Sequence, residues 1–273
     1  MIKLNAKWAS YPYIVWMILF TVLPLLLVVY FAFTDGNGAF TIDNVKQSAL
    51  YIPTLVNSIY LAAIATVICL VLAYPFAFVM SRLSFSKQKM MSMLVMLPMW
   101  MNFLLRTYAW QAILEDNGVI NSLLTGIGLP ALKLINTSGA VVLGMVYNYI
   151  PFMILPLYSI MTKIDKSVLE ASSDLGAGFL ATVRRVVLPL SVPGIISGVT
   201  MVFVPAVSTF VISGMLGGSG NYLIGDLIEV QFLGNSYDLN AGSATSLMLM
   251  IVVLITMAIF SRFETEDSEE ALV

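Results

Sequence analysis

The sequence predicts an all-α integral membrane protein: six transmembrane helices, with a helix-turn-helix at the cytoplasmic face between the fourth and fifth. Three observations predict this. Of 273 residues, 59% are apolar and 10% charged, whereas a soluble domain averages about 45–50% and about 25%. Uncharged stretches cover 8–34, 47–81, 90–105, 134–162, 186–225 and 239–261, and a bilayer core needs roughly 20 apolar residues in helical form. Runs of this length also exclude a transmembrane barrel, whose strands alternate over about ten residues. Thirteen basic and fifteen acidic side chains are too few for a soluble enzyme, a disordered chain or a nucleic-acid-binding protein.

The elements follow in order. The first span, near 11–33, is long and lacks a small-residue cleavage site, so it reads as a retained helix rather than a signal peptide. The connection 34–54 has room for a short surface helix before a second span near 55–80. The third, near 90–112, has a short uncharged part, so Arg106 has to snorkel at its end. A fourth span near 139–161 and a fifth near 190–215 flank the loop 162–189. The segment 216–242 is too long and too glycine-rich for a simple turn, and the sixth span lies near 243–261. Residues 1–273 read as a single transmembrane domain.

Basic residues set the direction. Lys3, Lys7, Arg82, Lys87, Lys89, Lys163, Lys166, Arg184, Arg185 and Arg262 fall on one side, against Lys46, Arg106 and Lys133 on the other. The positive-inside rule then places both termini in the cytoplasm. Arg184 and Arg185 read first as anchors near lipid headgroups. The acidic tail 264–270 reads as a solvated terminus.

The loop 162–189 is the most informative segment. Ser167 followed by Glu170 forms a capping-box pattern, so a short helix is expected to start there. Gly176 stands where a left-handed cap would end it. A second short helix carrying Phe179, Leu180, Val183 and Val187 is expected to stop at Pro189. Two turns of helix are marginal in water, so something must pack against this unit, either the membrane domain or another protein. Glu170 serves its own helix or a partner, and Asp174 faces either way.

These residues resemble the cytoplasmic signature of permease subunits of ATP-binding-cassette importers. That signature reads Glu-Ala-Ala, three residues, Gly, nine residues, Ile, one residue, Leu-Pro. Here it is Glu170-Ala171-Ser172, Gly176, Val186 and Leu188-Pro189, with every spacing kept and two of seven positions changed, Ser172 and Val186. The resemblance implies that the loop is a coupling element, including Asp174, which sits in a groove of a cytoplasmic ATPase.

What the chain lacks is consistent with this. It has no Gly-x-x-x-x-Gly-Lys-Ser/Thr stretch to cradle a nucleotide. It has no histidine and one cysteine, Cys69, so His-based triads, His-ligated zinc, an intrachain disulfide and a thiolate cage are excluded by inventory. Gly217-Gly218-Ser219-Gly220 superficially resembles a membrane serine protease, but the usual base is missing, and a flexible bend is the expectation. No catalytic residue and no metal site is expected.

For a solute path, Asp226 and Glu229 share a face if their segment is helical, or else they line a solvated loop. Trp100, Tyr108, Trp110, Tyr147, Tyr149 and Tyr222 gather at outer span ends, as a path for an organic cation would require or as an ordinary interfacial belt. Arg106 opposes a cation path unless Glu115 or Asp116 neutralises it. Pro98, Pro151, Pro156, Pro193 and Pro205 fit helices bent beside a cavity.

Longer segments resemble the spermidine/putrescine permeases within that family. They include Pro98-Met99-Trp100, Leu105 to Trp110, Asn117 to Asn121, Leu188 to Gly198, Leu216-Gly217-Gly218, Leu223 to Ile228 and Gln231-Phe232. The resemblance implies a bacterial inner-membrane polyamine importer. It also implies a second, different permease, a cytoplasmic ATPase dimer that holds ATP and Mg, and an external substrate-binding protein, with no cofactor on this chain. A permease for another small solute is the nearest alternative. An ion-coupled secondary transporter is disfavoured because the uncharged stretches hold no midplane ionisable group.

Overall fold

The computed structural model describes residues 6–218, 220–234 and 237–270; Lys3 and Ser219, used above, lie outside them. Among the described residues every regular element is helical, apart from one isolated bridge between Thr34 and Phe40. In chain order they are α1 (Ala6–Met17), α2 (Leu23–Ala32), α3 (Asp43–Ser48), α4 (Ile52–Ser81), α5 (Phe85–Trp100), α6 (Phe103–Leu114) and α7 (Val119–Gly126). There follow α8 (Ser138–Met161), α9 (Lys166–Asp174), α10 (Phe179–Thr182), α11 (Leu188–Val207), α12 (Val211–Leu216), α13 (Ile224–Leu233) and α14 (Leu239–Glu270). Five helical stretches are long and apolar enough to cross a membrane: Tyr11–Ala32, Asp43–Ser81, Ser138–Met161, Phe179–Val207 and Leu239–Arg262. A bent pair, Phe85–Trp100 with Phe103–Gly126, makes a sixth if it counts as one span.

That pair corrects the single helix expected over 90–112, because the two halves meet at 85°. Met101 is extended, and the side chain of Asn102 accepts from the amides of Leu104 and Leu105, starting a new helix. An Asx cap of this kind offers the backbone an alternative to continuing. The fifth span is corrected too. It ends at Val207 instead of 215, and α12 begins afresh at Val211. Ser208 Oγ donates to the carbonyls of Val204 and Pro205, the acceptors a continued ladder would use.

The third correction concerns Pro189, which does not stop a helix. Phe179–Val207 is one helical stretch, with a π-helical turn at Val183–Val187 whose last bond runs from Leu188 N to Val183 O. The wider turn makes room for the proline ring, which clashes with the i−4 carbonyl in a regular helix. The first span uses the same device, a π turn at Ile18–Val22 before Leu23-Pro24.

The chain divides into two compact units. One comprises 1–55 and 227–252. In it the amides of Asn240 and Asn44 both donate to the carbonyl of Thr34, at 2.6 and 2.8 Å, just beyond the end of α2. The expected short helix in 34–54 is α3. The other unit comprises 56–226 and 253–273. Its core sets Cys69, Ala73, Ala77 and Met80 of α4 against Met153, Leu157 and Met161 of α8, with Val187 and Val202 of the Phe179–Val207 rod. Small residues every fourth position on α4 let the helices approach closely, which is how packing is won in lipid.

Candidate coupling hairpin and solute slot

The loop 162–189 folds into a helical hairpin whose first arm is α9. Its cap is Asp165, whose carboxylate accepts from Ser167 N at 3.1 Å. Ser167 was expected in that role, but the helix starts at Lys166, so Asp165 is the residue just ahead of it and Ser167 already lies inside the first turn. The same bond holds the Asp165 carboxyl below its ordinary pKa. Glu170 is exposed and takes no part in the cap.

The arm ends as expected. Gly176 has φ +80°, and the amides of Gly176 and Ala177 bond back to the carbonyls of Ser173 and Ser172. That is the two-bond left-handed cap, which an L side chain occupies only with strain. The second arm begins with α10, and Ser172 and Thr182 share a hydrogen bond of 3.0 Å between the arms.

The hairpin encloses a groove of about 520 Å³. Ala171, Ser172, Gly176 and Val186 line it; Glu170, Asp174, Leu188 and Pro189 do not. Leu175, Leu180 and Phe179 are 88%, 79% and 68% exposed at its tip. Its root is packed, since Ile164, Val187 and Leu169 belong to the core of their unit.

A second cavity, of about 820 Å³, lies between α4 and α8. Tyr60, Ile64, Ile68 and Leu72 form one wall and Leu143, Val146, Tyr147 and Ile150 the other. Trp110 closes one side and meets Tyr147 edge to face, ring centroids 5.3 Å apart. Two of the path candidates, Trp110 and Tyr147, therefore come together, and Tyr60, not picked out from the sequence, joins them. Trp100 and Tyr108 are 75% and 58% exposed and do not line this slot.

The expected helix around Asp226 exists as α13, but its two carboxylates differ. Asp226 is 2% exposed and accepts from Leu223 N at 2.6 Å, while Ile224 N donates to Ser58 Oγ. An acidic third residue reaching back to the amide ahead of its helix is half of a capping box, so this carboxylate serves the backbone. Gly225 lets the turn through: a Cβ there would overlap the carbonyls of Ser208 and Thr209 at the break after α11. Glu229 is exposed. Arg106 is buried rather than snorkelling, and its Nε and Nη1 have no hydrogen-bond partner among the described residues.

Two further features were missed in the sequence. Arg82 donates to the carbonyls of Ile164 and Met161. Gln88 donates to those of Ser81 and Leu83 and accepts from Tyr158 OH. Arg82 and the Tyr158–Gln88 bond join positions 70 or more residues apart, so no local pattern announces them.

With this geometry in view, known proteins place the chain. The family profile described as binding-protein-dependent transport system inner membrane component matches residues 49–264. The chain belongs to that family. It is 39% identical over 257 residues to the spermidine/putrescine transport system permease protein PotB of Escherichia coli, covering 90% of this chain and 93% of that one. Solved structures share its fold. A bacterial transporter that imports the acidic polysaccharide alginate matches at 17% identity with a TM-score of 0.81, covering 96% of both chains. The alginate transporter in complex with a pentasaccharide-bound periplasmic protein matches at 17% identity with a TM-score of 0.78, covering 94% of this chain and 93% of that one.

Proposed function

We propose that this chain is the permease subunit of an ATP-driven importer for polyamines such as spermidine and putrescine. One observation carries the reading. A hairpin with a capped arm, a packed root and three large apolar side chains exposed at its tip bears the spaced residues of an importer signature, in a chain of a transport family. Apolar surface of that kind on a short helical unit needs a partner. That partner is a cytoplasmic ATPase dimer, which holds ATP and Mg; this chain binds no cofactor. The bent pair counts as one span, giving six, and residues 1–273 act as one transmembrane domain with both termini and the hairpin in the cytoplasm of a bacterial cell.

The polyamine substrate is supported by the similarity to the PotB permease and by the chemistry of the slot. Tyr60, Trp110 and Tyr147 offer ring faces that attract an organic cation, while the aliphatic walls would not hold one. The path is completed by a second, different permease, and an external binding protein delivers the solute. Glu229 remains a candidate for attracting it. Asp226 serves the fold.

Co-purification tests the reading: the chain is expected to bring a nucleotide-binding protein with it, and liposomes holding the assembly are expected to take up spermidine only with ATP inside. Uptake by this chain alone, driven by an ion gradient, would replace this reading with a secondary transporter.

A further inference from the structure

The hairpin is joined to the spans at a side chain outside the signature. Arg82 directly follows α4. Its Nη1 donates to Ile164 O at 3.1 Å and its Nη2 to Met161 O at 3.4 Å. Met161 is the last residue of α8 and Ile164 lies three residues beyond it, where a helix end leaves carbonyls short of intrahelical donors and its dipole favours a cation. The guanidinium carbon sits 5.5 Å from the centre of the Phe78 ring. That ring in turn meets Phe179 edge-on, at 5.9 Å and 67°.

Met161 and Ile164 are where the chain leaves α8 for the first arm; Phe179 is the first residue of the second. The root of the first arm and the start of the second, at the turn, are therefore both referenced to one guanidinium–phenyl pair, Arg82 with Phe78. The arms are tied to each other by Ser172 and Thr182 and by the Gly176 cap. The hairpin thus moves as a body, and any displacement of it shifts the first root against Arg82 and the turn-side Phe179 against Phe78. Nε of Arg82 is buried without an acceptor among the described residues, so the side chain is held by two nitrogens and has a donor left for a second arrangement. Packed contacts of this type switch between discrete states rather than stretch.

We propose that Arg82, acting with Phe78, is the positioning residue that passes displacement of the hairpin to α4 and α8 and so couples hydrolysis to solute movement. The inference rests on the importer reading above. A planar fork that reaches two carbonyls while lying against a ring is specific to arginine; lysine keeps the charge but reaches one acceptor.

The test uses the complete assembly in liposomes, measuring ATP hydrolysed and spermidine taken up by the same vesicles. In Arg82→Gln and Phe78→Leu the solute moved per ATP is expected to fall roughly tenfold while hydrolysis continues. Arg82→Lys is expected to fall between, and Lys87→Gln, an exposed neighbour, to match the wild type. Hydrolysis and uptake falling in proportion, together with a lowered melting temperature, would make Arg82 a brace and overturn the inference. So would an unchanged ratio in all variants. An assembly that contains no ATPase overturns the importer reading and this inference together; an intact one with wild-type stoichiometry overturns this inference alone.

Discussion

The helices α4 and α8 frame both functional regions, and they hold them differently. At the hairpin root and the neighbouring turn after α4, polar side chains do the joining: Arg82 holds the carbonyls of Met161 and Ile164, Gln88 those of Ser81 and Leu83, and Tyr158 reaches Gln88. In the slot the same helices face each other through aliphatic walls and one edge-to-face ring pair. Hydrogen bonds have preferred directions and fix angles; apolar contacts fix volume and leave neighbours free to slide. The root is held in angle, and the slot in volume alone.

This contrast can be broken from the hairpin side with the largest effect. Gly176→Pro removes both the left-handed conformation and the amide that bonds Ser173, and uptake is expected to be abolished. Glu170→Arg reverses an exposed charge in the signature without touching the cap, and it too is expected to abolish uptake while the chain still inserts and folds. Wild-type uptake in either would reject the role given to the loop.

On the slot side the effects should be graded. Trp110→Ala removes one ring face and the edge contact with Tyr147. Since a cation–ring contact is worth about 1 kcal/mol, a several-fold rise in the half-saturating spermidine concentration is expected, with a smaller change in maximal rate. Tyr60→Leu should act in the same direction. An unchanged concentration dependence in both would take the aromatic residues out of the path.

The two carboxylates of α13 separate structure from transport. Asp226→Ala leaves the Leu223 amide without its acceptor and is expected to cost about 2 kcal/mol, as hydrogen bonds to charged groups do, read as a lowered melting temperature. Glu229→Gln is expected to leave the melting temperature alone and weaken uptake of a cation modestly. The reverse pattern would exchange the two roles.

The smallest effect is one of pH. The Ser167 amide lowers the Asp165 pKa, so this carboxylate stabilises α9 at neutral pH. Its contribution is lost as pH falls through the depressed value, below the ordinary carboxylate range of about 4. Protection of the Ser167 amide, its exchange relative to an unstructured amide at the same pH, is expected to fall on that acidification in the wild type and to lose that pH response in Asp165→Ala.

Spans and hairpin were legible in the sequence because their signals are local: charge-free length, a glycine at a cap, a fixed spacing. The errors have a common source. Ser167 reads as the cap, Pro189 as a stop, and 90–112 and 190–215 as unbroken spans, because each residue pattern is weighed without the carbonyls and amides competing around it. Trp110 could be named from sequence but not joined to Tyr60 and Tyr147, since that meeting depends on how α4, α6 and α8 pack. Arg82 was visible only as a topology charge, and the carbonyls it holds lie 79 and 82 residues away.

The wide turn at Val183–Val187 has a geometric consequence. A π turn carries one residue more than an α turn, and one residue corresponds to about 100° of rotation about the helix axis. The rod beyond it is thus phased differently from α10, which puts Val187 inward at 0% exposure while Arg184 and Arg185 remain outside. Deleting a single residue there would restore an ordinary ladder and yet twist α10 around its own axis, swinging Phe179 off the ring it meets. The extra residue sets the angle at which α10 leaves the rod.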